Sequence, residues 1–151
     1  MSGVREVTER DLVECHRIDC ATSAYPWSRA TMNRALQKNH VSHVWVNDDD
    51  QVKGFCISLL VIDELSILNI AVSADYQRQG IGRQLMLNAL TVGQRMGALE
   101  AFLEVRQSNS GAQSLYTDLE FHVVGVRENY YPVPGGQHEH ALMMARTLLV
   151  D

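Results

Sequence analysis

Gly80-Ile81-Gly82, flanked by Arg78 and Arg83 and opening a long amphipathic run, is the segment whose residue types and spacing most directly suggest chemistry. A helix that begins on glycines presents backbone N–H groups with no partner one turn back, together with a partial positive charge, and the combination binds phosphate. Without Cβ atoms the backbone can approach phosphate oxygens closely, and the two arginines add full charges. Two common nucleotide motifs do not match. A Rossmann fingerprint needs a third glycine where Leu85 stands, and a P-loop needs Lys-Ser/Thr where Arg83-Gln84 stands. The remaining pattern, Gln77-x-x-Gly80-x-Gly82, suits a pyrophosphate, although Gly-x-Gly alone is also ordinary turn punctuation.

The elements that must position this turn can be read from period and breakers. Val4–Val7 reads as a short strand, and Thr8-Glu9-Arg10-Asp11 as a capping box with Asp in place of Glu. Leu12, Cys15, Ile18 and Ala21 follow at helical spacing until Tyr25-Pro26-Trp27-Ser28, where Ser28 caps a second helix reaching Lys38. His43–Asn47 and Gln51–Ile62 form a hairpin across Asp48-Asp49-Asp50. Leu65–Val72 is an apolar strand running into the glycine turn. Ile81, Leu85, Ala89, Val92 and Met96 mark the buried stripe of the next helix, which Gly97 caps. Ala98–Val105 is a strand, Asn109 or Ser110 caps a helix ending near Leu119, and Val123–Tyr130 and Leu142–Leu148 are the last strands. Pro132-Val133-Pro134-Gly135-Gly136 separates those two. The order β-α-α-β-β-β-α-β-α-β-β implies an α/β (α+β) fold, one mixed sheet covered by helices, in a single domain over 1–151.

Composition narrows the function classes. A net charge of −5 argues against direct nucleic-acid binding, which needs a basic surface. No apolar run approaches the ~20 residues of a membrane span, and Met1–Glu6 lacks the apolar core of a signal peptide. The three cysteines, Cys15, Cys20 and Cys56, form no Cys-x-x-Cys pair, which suggests reduced thiols and a cytoplasmic location. His122, His138 and His140 lack metal-ligand spacing, so no metal is assigned.

On its strand–turn–helix, the run Val72-Ser73-Ala74-Asp75-Tyr76-Gln77-Arg78-Gln79-Gly80-Ile81-Gly82 resembles motif A of the GNAT superfamily of acetyl-CoA-dependent N-acetyltransferases. Leu103-Glu104-Val105-Arg106, Ser108-Asn109, Leu115-Tyr116 and Leu119-Glu120-Phe121 fit the superfamily's next signature. Tyr25-Pro26-Trp27-Ser28, Asn69-Ile70-Ala71-Val72 and Arg127-Glu128-Asn129-Tyr130-Tyr131-Pro132 resemble, more narrowly, the bacterial ribosomal-protein alanine N-acetyltransferases (the RimI group). Those enzymes acetylate the N-terminal alanine of small-subunit ribosomal protein eighteen. The resemblance runs from the first strand to the last and implies the GNAT fold, a mostly antiparallel central sheet of about seven strands with about four helices.

The resemblance also implies roles. Acetyl-CoA is the co-substrate, held by Arg78, Gln79, Gly80, Ile81, Gly82 and Arg83 at its pyrophosphate. The backbone of Ile70, Ala71 and Val72 pairs with the pantetheine amides as an added strand does, an N–H near Val72 faces the developing oxyanion, and Asn109 reaches the pantetheine. Glu104 becomes the general base, directly or through a water, and Tyr116 the general acid for the departing thiolate. By pattern alone, Glu104 is a solvent-facing strand residue or an ion-pair partner of Arg106, Tyr116 a core aromatic, and Asn109 a helix cap. Tyr25, Trp27 and Tyr131 flank the acceptor peptide, the N-terminus of a ribosomal protein, towards which Asp63, Glu64, Glu128 and Glu139 supply negative charge. No cysteine is expected near the site segments, which favours direct transfer in a ternary complex over an acyl-enzyme. Other acceptors, a small amine, a lysine or other protein N-termini, and a non-catalytic acyl-CoA-binding module remain as alternatives. One residue departs from the superfamily pattern: Glu120 stands where Leu-Gly-Phe carries glycine, so either Glu120 accepts a left-handed conformation at ~1 kcal/mol or the helix ends differently.

Overall fold

The structure is a computed structural model and describes residues 1–133, 135–136 and 138–148. Its elements follow the expected order: β1 (Gly3–Glu6), α1 (Leu12–Thr22), α2 (Arg29–Met32), β2 (His40–Val46), β3 (Val52–Val61), β4 (Glu64–Val72), α3 (Ile81–Arg95), β5 (Glu100–Arg106), α4 (Ser110–Asp118), β6 (His122–Pro132) and β7 (His138–Thr147). The strands form one sheet in the order β1-β2-β3-β4-β5-β7-β6. Every neighbouring pair is antiparallel except β4–β5, which the α3 crossover makes parallel.

Most strand bounds shift by one or two residues from the sequence reading, and the larger differences lie at the second helix, the start of β2 and the last strand. The second helix is α-helical only to Met32 and tightens into a 3-10 turn over Asn33–Leu36, because the chain must reverse at Asn39 (φ 72°) and enter β2 at His40 rather than His43. The final strand begins at His138 rather than Leu142, since the polar stretch His138–His140 conceals it from hydrophobic period. Pro134, in the expected breaker loop, lies outside the described residues. In α3 the buried stripe runs Ile81, Leu85, Met86, Ala89, Leu90, Gly93, while Met96 is exposed.

Two apolar layers sandwich the sheet. On one face Leu85, Met86 and Ala89 of α3 and Tyr116 of α4 pack on Leu65, Ile67 and Leu103. On the other, Cys15, Ile18 and Met32 of α1 and α2 pack on Val44, Phe55 and Ile57. The α3 contact is close enough to favour a glycine, because a Cβ at Gly93 would sit 2.7 Å from Leu65 Cδ2 and force that buried side chain to shift. Helix α3 is thereby seated directly over the paired half of β4. The second layer leaves Phe102, Glu104 and Met143 only partly buried, and they line an open groove on the sheet.

Two local features have energetic consequences. Asp11 is buried, accepts two hydrogen bonds from Arg5 (2.8 and 2.9 Å), and takes the Thr8 N–H at 2.7 Å, fixing β1 to the start of α1. Burial alone would push its carboxyl up, but the Arg5 and Thr8 hydrogen bonds outweigh burial and hold it below the usual range. At the end of α4, Glu120 adopts φ 70°, with Phe121 N–H donating to Tyr116 O at 3.0 Å. The helix therefore ends as a glycine-terminated one would, and Glu120 carries the strain.

Glu120→Asn should raise stability by roughly 0.5–1 kcal/mol, because Asn tolerates the left-handed region better and the lost ion pair to Arg146 is solvent-exposed. Urea midpoints at unchanged m would show it, and a lower midpoint would refute the strain. Asp11→Asn should cost roughly 1–3 kcal/mol at neutral pH. A depressed folded pKa means the stabilisation is present above the unfolded carboxylate range and lost as pH falls through the folded value, so mutant and wild type should converge in acid. Urea titrations at neutral and strongly acidic pH test this; a gap of constant size would argue against it.

Candidate active site

β4 and β5 are paired only from Glu64↔Glu100 to Ile67↔Leu103. Beyond that point β4 continues to Val72 and β5 to Arg106 without Cα partners in each other. The divergence coincides with a bulge: Ser58 on β3 pairs with Ile67 and Ile57 pairs with Asn69, so Leu68 is the extra residue. A bulge bends its strand and increases local twist, which turns the end of β4 away from β5. The backbone edge of Ile70–Val72 on the β5 side is thus open, as the added-strand expectation requires, while its other edge pairs with Gly54–Cys56.

The glycine turn lies just beyond. Gly80 caps α3 in the left-handed region (φ 80°), which explains that glycine by backbone geometry. Gly82 needs a different reason. A Cβ there would meet Leu115 Cδ2 at 3.7 Å and Val72 Cγ2 at 4.0 Å, which are ordinary contacts, so packing does not demand glycine. What the Cβ would enter is a groove of about 550 Å³ between Val72, Leu115 and the first turn of α3. This groove also takes in Ile70, Ala71, Arg78, Gly80, Ile81, Arg83 and Asn109. A pyrophosphate with its attached pantetheine suits such a site, with free N–H groups at one end and an unpaired strand edge along one wall. Gln79 is exposed and lies outside the lining, whereas Gln77 lies in it and donates from Nε2 to the Val72 carbonyl at 3.0 Å, holding the turn closed.

The groove continues into a central cleft of about 240 Å³, which shares Ile70, Asn109 and Tyr116 with it. The cleft in turn shares Trp27, Leu68, Glu104 and Tyr131 with the open groove over Phe102 and Met143. The three spaces therefore adjoin one another around the gap between the strands. Tyr116 is on the glycine-turn side of that gap and Glu104 is on the other. Tyr116 is 7% exposed, and burial, with smaller contributions from Cys56 and Tyr131, pushes its phenol above the ordinary tyrosine range, so it stays protonated. Asn109 caps α4, its side chain accepting from Ala112 N–H at 3.1 Å. Glu104 is half-buried and pairs with Arg127 Nε at 3.2 Å, not with Arg106.

Cys56 corrects the expectation that no cysteine is near. It pairs across strands with Ile70, brought there by the β3–β4 hairpin. It is fully buried, and burial pushes its thiol up to about 12, so no thiolate is available at neutral pH. Direct transfer thus remains the chemistry that the local groups favour.

The two aromatic loops meet across one cation. The Arg106 guanidinium lies 4.4 Å from the Tyr131 ring centre and 5.3 Å from that of Tyr25, and pairs with Glu139 at 3.1 Å. Glu139 is consequently a strap for Arg106 instead of a free acidic attractant. Of the other acids picked from sequence, Glu64 lines the open groove, while Asp63 and Glu128 are exposed outside it. Trp27 is held from two sides: its N–H donates to Asp19 Oδ2 at 2.8 Å, and His16 Nε2 donates to its carbonyl at 3.0 Å. His140 accepts the Asn129 N–H through Nδ1, and among the described residues no group of three potential metal ligands occurs.

Sequence reasoning missed Asp19, Arg127 and the Phe102–Met143 floor. Asp19 had a readable signal. It sits four residues after Cys15 and one after Ile18, so a carboxylate occupies the buried side of an otherwise apolar stripe. Arg127 had none, because its approach to Glu104 depends on the register between β5, β7 and β6.

Comparison with known proteins agrees with this geometry. Residues 8–121 match the sequence model of the acetyltransferase (GNAT) family. The chain is 35% identical over 145 residues to the ribosomal protein bS18-alanine N-acetyltransferase of Salmonella typhimurium, covering 96% of this chain and 97% of that protein. It is 34% identical over 149 residues to the enzyme of that name from Haemophilus influenzae, covering 96% and 98%. The crystal structure of the ribosomal-protein-S18-alanine N-acetyltransferase from Escherichia coli superposes with a TM-score of 0.93 at 32% identity, over 100% of this chain and 96% of that one. Arabidopsis thaliana NAA60, solved in complex with acetyl-CoA, shares the fold with a TM-score of 0.89 at 16% identity, over 98% and 99%.

If the Gly82 space belongs to a ligand, Gly82→Val should weaken CoA binding at least about tenfold while shifting folding stability by no more than about 0.5 kcal/mol. Calorimetric titration with CoA alongside urea unfolding separates the two effects. A variant that binds CoA normally would leave Gly82 without this explanation.

Proposed function

The chain belongs to the acetyltransferase (GNAT) family, and from that premise we propose that it transfers the acetyl group of acetyl-CoA to the N-terminal alanine amine of small-subunit ribosomal protein bS18. The observation that supports this reading most is the gap between β4 and β5, where Tyr116 lines the glycine-turn groove and Glu104 lines the opposite, open groove. The relatives' substrate supports the choice of acceptor, as do the aromatic loops that border the open groove.

In this reading the N–H groups of Gly80–Arg83 hold the pyrophosphate, with Arg78 and Arg83 adding charge. The open edge of Ile70–Val72 aligns the pantetheine arm, and an N–H there faces the acetyl oxygen as negative charge develops on it. Acetyl-CoA supplies the acyl group on a thioester. The acceptor enters over Phe102 and Met143, between Trp27 and the Tyr130-Tyr131 pair. A free α-amine has a pKa of about 8 and arrives largely protonated. Glu104 takes its proton, directly or through a water, and displaces the Arg127 contact as the amine approaches. The amine nitrogen bonds to the acetyl carbon as the carbon–sulfur bond breaks, Tyr116 donates its hydroxyl proton to the departing sulfur, and the second proton that the nitrogen sheds in becoming an amide passes through water and restores the Tyr116 hydroxyl. Exclusion of bulk water by Tyr25, Trp27 and Tyr131 strengthens each of these interactions.

Glu104→Gln and Tyr116→Phe should each keep acetyl-CoA affinity and lower kcat by about a hundredfold or more. A peptide panel differing only in its first residue, with a blocked-N-terminus lysine peptide added, should show acetylation of the alanine-initiated member by mass. Wild-type rates in both variants would remove the acid–base roles, and preferential acetylation of lysine would replace the acceptor.

A further inference from the structure

Among the described residues, four polar or charged ones are buried: Asp11, Asp19, His43 and Ser58. Asp11 is neutralised by Arg5, and Ser58 donates to the Val41 carbonyl at 2.7 Å. Asp19 stands apart from the other buried acid. It is 3% exposed, yet among the described residues no lysine, arginine or histidine lies within 4.0 Å of its carboxylate. Among the described residues its carboxylate takes hydrogen bonds from neutral donors alone, the Trp27 backbone N–H at 2.8 Å and Asn69 Nδ2 at 3.3 Å, and both go to Oδ2. A buried carboxylate without a counter-charge is costly, because two neutral hydrogen bonds replace only part of its hydration.

The other oxygen shows where the compensation enters. Oδ1 receives no hydrogen bond from the described residues, but it is also not among the side-chain atoms sealed from solvent without a partner. Asp19 lines the central cleft from α1 and Glu104 lines it from β5, so the cleft is the space open to the unpartnered oxygen. We propose that Asp19 is a second acceptor-binding carboxylate, which receives the positive charge of the incoming N-terminal ammonium before Glu104 removes a proton. The assignment rests on the acceptor reading above. It gives the cleft two carboxylates from two elements: one on β5 that takes the proton, and one on α1 that holds the cation. Because Oδ2 also fastens the Trp27 N–H, arrival of the amine and position of the aromatic loop are tied to a single side chain. Asp19 contacts the charged amine and not the neutral one that reacts, so its contribution falls on acceptor binding more than on turnover.

Calorimetry on the protein–CoA complex tests this with two peptides. One is alanine-initiated; the other carries a hydroxyl in place of the α-ammonium and is otherwise identical. Wild type should prefer the amine by at least about tenfold. Asp19→Asn keeps an oxygen that can accept the Trp27 N–H but removes the charge, so it should narrow that preference at least about fivefold with CoA affinity unchanged. In turnover, the peptide KM should rise while kcat changes less. A merely structural role would weaken both peptides equally, and that result overturns the proposal, as does an unchanged preference. Should Asp19→Asn lose CoA affinity, Asp19→Ser, which also offers a neutral acceptor, is judged by the same criterion. Wild-type protein that binds neither peptide refutes the acceptor reading itself and this assignment with it.

Discussion

The parting of two parallel strands after four paired residues is the constraint on which the rest of this structure depends. A parallel pair ordinarily continues as far as both strands do, since ending it early leaves backbone N–H and C=O groups without partners. Here β4 and β5 each run on past the last pair, and one extra residue, Leu68, turns β4 aside. The unpaired groups then face a gap instead of a neighbour. A ligand with amides of its own can satisfy them, and the opening lets groups on opposite faces of the sheet reach one centre.

Both sides of the gap are held in place by packing. Gly93 lets α3 lie directly on Leu65, so the paired end is clamped by the same helix whose first turn carries the glycine motif. At the other end, Gln113 of α4 donates to the carbonyls of Arg106 and Gln107, fastening the helix that carries Tyr116 to the tip of β5. The glycine turn and Tyr116 are thus each anchored to one of the diverging strands. Their separation is set by the strand geometry and does not depend on a flexible loop.

Charge around the centre is distributed without any dependence on the overall charge of −5. Arg106 is occupied by Glu139 and two tyrosine rings, and Arg127 by Glu104 and Tyr130. Each cation near the cleft is therefore already engaged, whereas Asp19 faces the cleft with no described counter-ion. A site of this kind attracts a cation, and a protonated amine is one. Burial has the opposite consequence for Tyr116 and Cys56, which it keeps protonated, so the first remains able to donate and the second is not a nucleophile.

Local signals were enough to read the glycine turn, the order of elements and the caps at Ser28, Asn109 and Gly97 from the chain alone, and to mark Glu120 as a place of either strain or a different helix end, which the structure resolves as strain. Each depends on neighbours within a few residues, where period, φ preference and capping chemistry act. The motif around Glu104 and Tyr116 marked them as candidates, but their relation across the gap was not legible. It depends on a bulge at Leu68 and on strand register, which couple residues far apart in sequence. For the same reason the chain could not reveal that Glu104 meets Arg127 rather than Arg106, that Cys56 lies behind Ile70, or that Glu139 is spent on Arg106. Sequence by itself determined which groups can bind phosphate and move protons, because that is written in residue type and local spacing. Only the tertiary structure decided which of them share a cleft and which carboxylate there lacks a partner, because pairing and burial are properties of the assembled sheet and its helices.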